Sequence, residues 1–142
     1  MDGFKNKVAF VTGGNSGIGK AAAIAFAKEG VKVAIAARRK DESLEVVKQI
    51  KQSGGEAFFI QLDVSKPNDV KMAIEETVKK YGGLDYCFNN AGVNIDSGVP
   101  FHEFSEDSWD KIVGINLSGV FYCMKYEIQQ MLKTVGGSIV KM

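Results

Sequence analysis

Thr12-Gly13-Gly14-Asn15-Ser16-Gly17-Ile18-Gly19 follows directly on an apolar run, Lys7–Thr12, that reads as a strand. It leads without a break into Gly17–Glu29, which has helical spacing and is closed by Gly30. Glycines between a strand and a helix permit a tight turn and a close approach of backbone to an anion. The helix start behind them offers unpaired N–H groups and the positive end of the helix dipole. A merely tight strand–helix turn is the competing reading. Gly14-x-x-x-x-Gly19-Lys20 also follows the P-loop pattern until Ala21, which stands where a magnesium-binding Ser or Thr belongs. Gly17-x-Gly19-x-x-Ala22 fits the loosened dinucleotide fingerprint G-x-G-x-x-G/A.

Outward from this loop, strand and helix patterns alternate. Val31–Ala37 reads as a second strand, and Glu42–Gln52 as a helix with Leu44, Val47 and Ile50 on one face. Ala57–Leu62 reads as a third strand. Ser65 then looks like an N-cap, with Pro67 tolerated in the first turn of a helix that ends at Gly82-Gly83. Leu84–Asn89 is the fourth strand. Ser105 caps a long helical pattern reaching Lys133, with Trp109, Ile112, Val113, Leu117, Val120, Phe121, Met124, Ile128 and Met131 as its apolar stripe. Gly136-Gly137 turns the chain into a fifth strand, Ser138–Met142. Strands that are apolar on both faces and alternate with helices predict a parallel sheet covered on both sides. With right-handed crossovers this gives an α/β, Rossmann-type doubly wound fold, truncated after the fifth strand.

Composition narrows the function classes. The 142 residues are close to the roughly 150 expected of one domain. Eighteen Lys+Arg against 17 Asp+Glu give a net charge of +1 with no basic block, which argues against a nucleic-acid partner. No apolar run approaches the roughly 20 residues of a membrane span. One histidine, His102, and two cysteines, Cys87 and Cys123, 36 positions apart, exclude a Cys/His zinc site of usual spacing and a disulfide framework. A reduced, cytoplasmic protein is expected.

T-G-x-x-x-G-x-G after the first strand is similar to the glycine motif of the short-chain dehydrogenase/reductase family. Asp63-Val64 at the end of the third strand, Asn89-Asn90-Ala91-Gly92 at the end of the fourth, and Asn116 followed by Gly119 in the long helix fall in the family's order. The resemblance spans essentially the whole chain. It implies residues 1–142 form an NAD(P)-binding Rossmann domain, incomplete because the catalytic and substrate-binding part lies beyond it. It also implies cofactor contacts from Gly13, Asn15, Ser16, Gly17, Ile18 and Gly19. Asp63 would accept from the adenine amino group, with Val64 beside the ring; a helix-capping Asp63 is the plainer reading. Asn90-Ala91-Gly92 would lie against the cofactor ribose and stabilise the central sheet.

Asn116 falls on the apolar stripe, where a buried amide needs hydrogen-bond partners. By resemblance it bends the helix and holds a water near the active site, and it is the one catalytic candidate. A satisfied core amide is its bland reading. The end of the second strand reads Ala36-Ala37-Arg38-Arg39, where NAD enzymes of this fold commonly carry an acid. Arg38 could fork onto a 2′-phosphate, so NADP is favoured and NAD stays open, with Asp41 as its alternative ribose partner.

The family's tyrosine and lysine, Y-x-x-x-K, are not found. Four residues after Tyr81, Tyr86, Tyr122 and Tyr126 stand Asp85, Asn90, Tyr126 and Gln130. Gly137-Ser138-Ile139-Val140 resembles the family's fifth strand, with Lys141 in place of its usual Asn. The expectation is an oxidoreductase of small alcohol or carbonyl substrates, a homo-oligomer when complete, whose 142-residue portion is inactive alone. The alternative is a catalytically silent nucleotide-binding or interaction module ending at Met142.

Overall fold

The computed structural model describes residues 2–142. Its elements are β1 (Val8–Thr12), α1 (Gly17–Lys28), β2 (Lys32–Ala37), α2 (Lys40–Gln52), β3 (Ala57–Gln61), α3 (Pro67–Tyr81), β4 (Tyr86–Asn89), α4 (Glu106–Val113), α5 (Gly119–Met131) and β5 (Ser138–Lys141). Every strand pair is parallel, in the order β3-β2-β1-β4-β5. After β3 the chain crosses back to the other side of β1, so the strand order reverses between β1 and β4. Open sheets of this kind bind ligands in the crevice beyond the carboxyl ends of those strands.

Period-two alternation divides the core into two halves. Val11, Val33, Ile35 and Phe88 face one way and pack on Ala23 and Ala27 of α1 and Val46, Val47 and Ile50 of α2. Phe10, Ala34, Ala36 and Cys87 face the other way, onto Val70, Ala73 and Ile74 of α3 and Cys123 and Met131 of α5. Small residues in β2, Ala34, Ala36 and Ala37, let these layers close onto the sheet, and all three are buried.

Three local expectations are corrected. Ser65 does not cap α3: the N-cap position is Lys66, with Pro67 opening the helix. Ser65 instead bonds back to Asp63, which forms the turn out of β3. The long helix is interrupted at Gly114–Ser118 by a π-helical turn, closed by the Gly119 N–H donating to the Gly114 carbonyl. The face that meets the sheet shares only Met131 with the apolar stripe of the sequence. Gly119, Cys123, Glu127 and Met131, one turn apart, are buried, whereas Trp109, Leu117, Phe121 and Ile128 are exposed. At its start α5 closes on the loop after β3: a Cβ on Gly119 would stand 2.7 Å from Val64 Cγ2, so that end of the inner row has no room for a side chain. Ser105 does cap α4, its hydroxyl accepting from the Ser108 N–H at 3.1 Å. Among the described residues no helix is long and apolar enough to cross a membrane.

Candidate functional site

The carboxyl ends of β1, β2, β3 and β4 open onto one cleft. Of the residues picked from the sequence, Gly13, Asn15, Ser16, Arg38, Asp63, Val64, Asn90, Ala91 and Gly92 line it. Gly17, Ile18 and Gly19 form the first turn of α1 behind this lining rather than in it. Asp41, the alternative ribose partner, does not line the cleft, while Arg38 and Arg39 both do.

The loop geometry explains its glycines at two positions. Gly17 adopts φ +54°, in the left-handed region that favours glycine. A Cβ on Gly19 would run into the Gly13 carbonyl oxygen and the Asn90 amide, so the helix start can approach β4 only without a side chain. Ser16 at the N-cap makes no side-chain bond to the first turn, which leaves that helix end without a side-chain cap. Such an end suits a phosphate.

A residue without an assigned role in the sequence holds the two loops together. Thr12 Oγ1 accepts from the N–H groups of both Asn90 and Ala91, each at 3.0 Å. Asn90 Nδ2 returns a bond to the Gly13 carbonyl at 3.2 Å. The glycine loop and the Asn90-Ala91-Gly92 turn are therefore one hydrogen-bonded unit. The only signal of this was Thr12 at the head of the glycine motif.

Asp63 Oδ1 accepts from the backbone N–H and hydroxyl of Ser65, at 3.0 and 2.6 Å. Partial burial raises its pKa, but the two Ser65 bonds and the charges of Lys66 and Arg38 outweigh this and hold it below the usual value. Oδ2 has no protein donor among the described residues and is free for a ligand amino group. The turn at Ser65 engages Oδ1 alone, and Asp63 bonds to no N–H of the first turn of α3, so its plainer reading as a helix cap does not hold.

Asn116 is exposed, which corrects the expectation of a buried amide. It lies in the π-helical turn, so the helix does depart from α geometry there. Its amide bonds the main chain of Val93 on both sides: Oδ1 accepts from the N–H and Nδ2 donates to the carbonyl, each at 2.8 Å. This rung ties the helix to the chain segment leaving the Asn90-Ala91-Gly92 turn. The loop that follows is pinned once more where Ser108 donates to Asp96, which has φ +55°.

Deeper, Asn89 Nδ2 donates to Glu127 Oε2 at 2.8 Å beneath the cleft, and both residues are buried. Burial lifts the Glu127 pKa to about 7, only partly offset by bonds from Asn89 and Cys87. Burial, with Glu127 beside them, also raises both thiols, Cys87 and Cys123. Both cysteines are free and buried. Nothing in the sequence singled out Glu127, because an acid inside a surface-like helix pattern reads as solvated.

Residues 7–142 match the short chain dehydrogenase family, and the chain belongs to it. It is 44% identical over 140 residues to an uncharacterised oxidoreductase of Thermotoga maritima, covering 96% of this chain and 53% of that protein. It is 40% identical over 138 residues to a 3-oxoacyl-(acyl-carrier-protein) reductase of Staphylococcus epidermidis, covering 96% and 56%. The crystal structure of a short-chain type dehydrogenase/reductase from Mycobacterium marinum superposes with a TM-score of 0.92 at 32% identity, over 99% of this chain and 57% of that one. The chain spans about half the length of the curated relatives it matches.

Proposed function

We propose that this cleft binds the adenosine and pyrophosphate part of NADP(H), and that the chain is the cofactor-binding portion of an oxidoreductase acting on a small alcohol or carbonyl compound. The observation that carries the reading is the convergence of the glycine loop, Arg38, Asp63-Val64 and Asn90-Ala91-Gly92 on one cleft. The uncapped start of α1 suits the pyrophosphate. Asp63, with Oδ2 free of protein donors, suits the adenine amino group, and Val64 the flat face of the ring. Arg38 makes no ion pair among the described residues and is available to a 2′-phosphate. The nicotinamide of such a cofactor supplies the hydride acceptor or donor.

Asn116 fits a positioning role in this reading, because it fixes Val93 next to Gly92 and so the shape of the cleft wall. A tyrosine and lysine at Y-x-x-x-K spacing are not among these 142 residues. The chain alone therefore binds cofactor without turning it over. A homo-oligomer in the cytoplasm completes the proposal, with the exposed row Trp109, Leu117, Phe121 and Ile128 as the surface for a second copy. Titration with NADPH and NADH, followed by nicotinamide fluorescence, tests the reading. Saturable binding, tighter for NADPH, is expected. Failure of both dinucleotides to bind overturns it.

A further inference from the structure

The two arginines at the end of β2 are not equivalent. Arg39 donates from Nη1 to Glu42 Oε1 at 2.8 Å, while Arg38 has no carboxylate within salt-bridge distance among the described residues. The other oxygen of Glu42, Oε2, accepts from Asn15 Nδ2 at 3.0 Å. One carboxylate in the first turn of α2 therefore spans the junction between β2 and α2 and the glycine loop. Asn15, Arg38 and Arg39 line the cleft, so Glu42 is fastened to two of these three side chains.

We propose that Glu42 is a specificity-determining residue, an internal counter-anion that weakens the hold on a 2′-phosphate and so sets the balance between 2′-phosphorylated and unphosphorylated dinucleotides. The proposal rests on reading the cleft as a dinucleotide site. A 2′-phosphate brings up to two negative charges to this rim. It finds Arg38 available, but Arg39 and Asn15 engaged by Glu42. To reach either, it must displace the carboxylate, and its charge is opposed by Glu42 in any case. A 2′-hydroxyl carries no charge and meets no such opposition. The bond from Arg39 lowers the Glu42 pKa, so the carboxylate stays ionised under working conditions. Both partners are exposed, with side chains 69% and 46% accessible for Arg39 and Glu42, so the carboxylate can swing away when its partners are taken.

Two variants of the intact protein test this by equilibrium titration with NADPH and with NADH. Glu42→Gln keeps the shape and the bond from Asn15 but removes the charge. It is expected to tighten NADPH about two- to fivefold and to leave NADH nearly unchanged, the scale of one exposed charge interaction. Arg39→Ala leaves Glu42 uncompensated and is expected to loosen NADPH while sparing NADH. The Glu42→Gln gain should shrink as salt rises, because exposed charges are screened. Unchanged or weaker NADPH binding in Glu42→Gln, or an equal shift for both dinucleotides, overturns the proposal while the cleft reading stands. Failure of the unaltered protein and both variants to bind either dinucleotide overturns the cleft reading and this proposal with it.

Discussion

Asn89 and Glu127 meet at 2.8 Å between β4 and α5, in a part of the core that solvent does not reach. Asn89 Oδ1 and Glu127 Oε1 have no partner among the described residues. Both orphans are oxygens, so an ionised Glu127 leaves two buried acceptors unmatched, whereas a protonated one carries a donor of its own. This is the environment that lifts its pKa to about 7 from 4.5.

The sign of the pH dependence follows. Between about pH 4.5 and 7 the folded chain holds a proton on Glu127 that the unfolded chain has released. Stability from this group is full below about 4.5 and is lost as pH rises to about 7, a fall of about 3 kcal/mol at about 1.4 kcal/mol per unit. Glu127→Gln should flatten that slope in urea unfolding between pH 5 and 8, and should exceed the parent in stability at the upper end. A parent protein whose stability does not change across that range counts against a protonated Glu127.

Thr12→Val removes the acceptor shared by the Asn90 and Ala91 N–H groups. Two backbone donors are then left without their partner, at a cost of about 2–4 kcal/mol in denaturant unfolding. Thr12→Ser should recover most of it. Loosening this unit should also weaken dinucleotide binding, because the same bonds fix both loops of the cleft.

Arg38→Ala should weaken NADPH by about 1.5–3 kcal/mol, the scale of a hydrogen bond to a charged group, and NADH much less. Isothermal titration with both cofactors reads the difference. Equal losses would show that Arg38 does not face the 2′ position.

Gly119→Ala forces a methyl group against the Val64 side chain and carbonyl. The helix must lift or Val64 must move, and overpacking of this kind costs about 1–3 kcal/mol. Thermal melts of the variant check it. A neutral result would mean that α5 is free to shift on the sheet.

The outer row Trp109, Leu117, Phe121 and Ile128 is exposed, and Val140 is exposed on β5, an end strand of the sheet. Such surfaces pair with other chains. The 142-residue chain should therefore self-associate in light scattering, and Phe121→Glu should reduce this. A parent that stays monomeric as concentration rises would contradict the expectation.

The sequence by itself determined the alternating α/β order, the parallel sheet, the glycine turn and the position of Asp63 and Asn90-Ala91-Gly92 at strand ends. These are local properties: hydrophobic period, breakers and left-handed glycines act over a few residues. It also gave the Ser105 cap, which is satisfied by Ser108 three residues on. It misjudged Ser65, the inner face of the long helix and the burial of Asn116. The helix has apolar residues on two sides, and only packing against Val64 and β4 selects the row of Gly119, Cys123, Glu127 and Met131. Glu42 on Asn15 joins residues 27 apart, Asn116 on Val93 joins residues 23 apart, and Thr12 on Ala91 spans 79. Those pairs exist only because the strand order brings the carboxyl ends of β1, β2 and β4 together, and no pattern within one segment encodes which distant donor meets which acceptor.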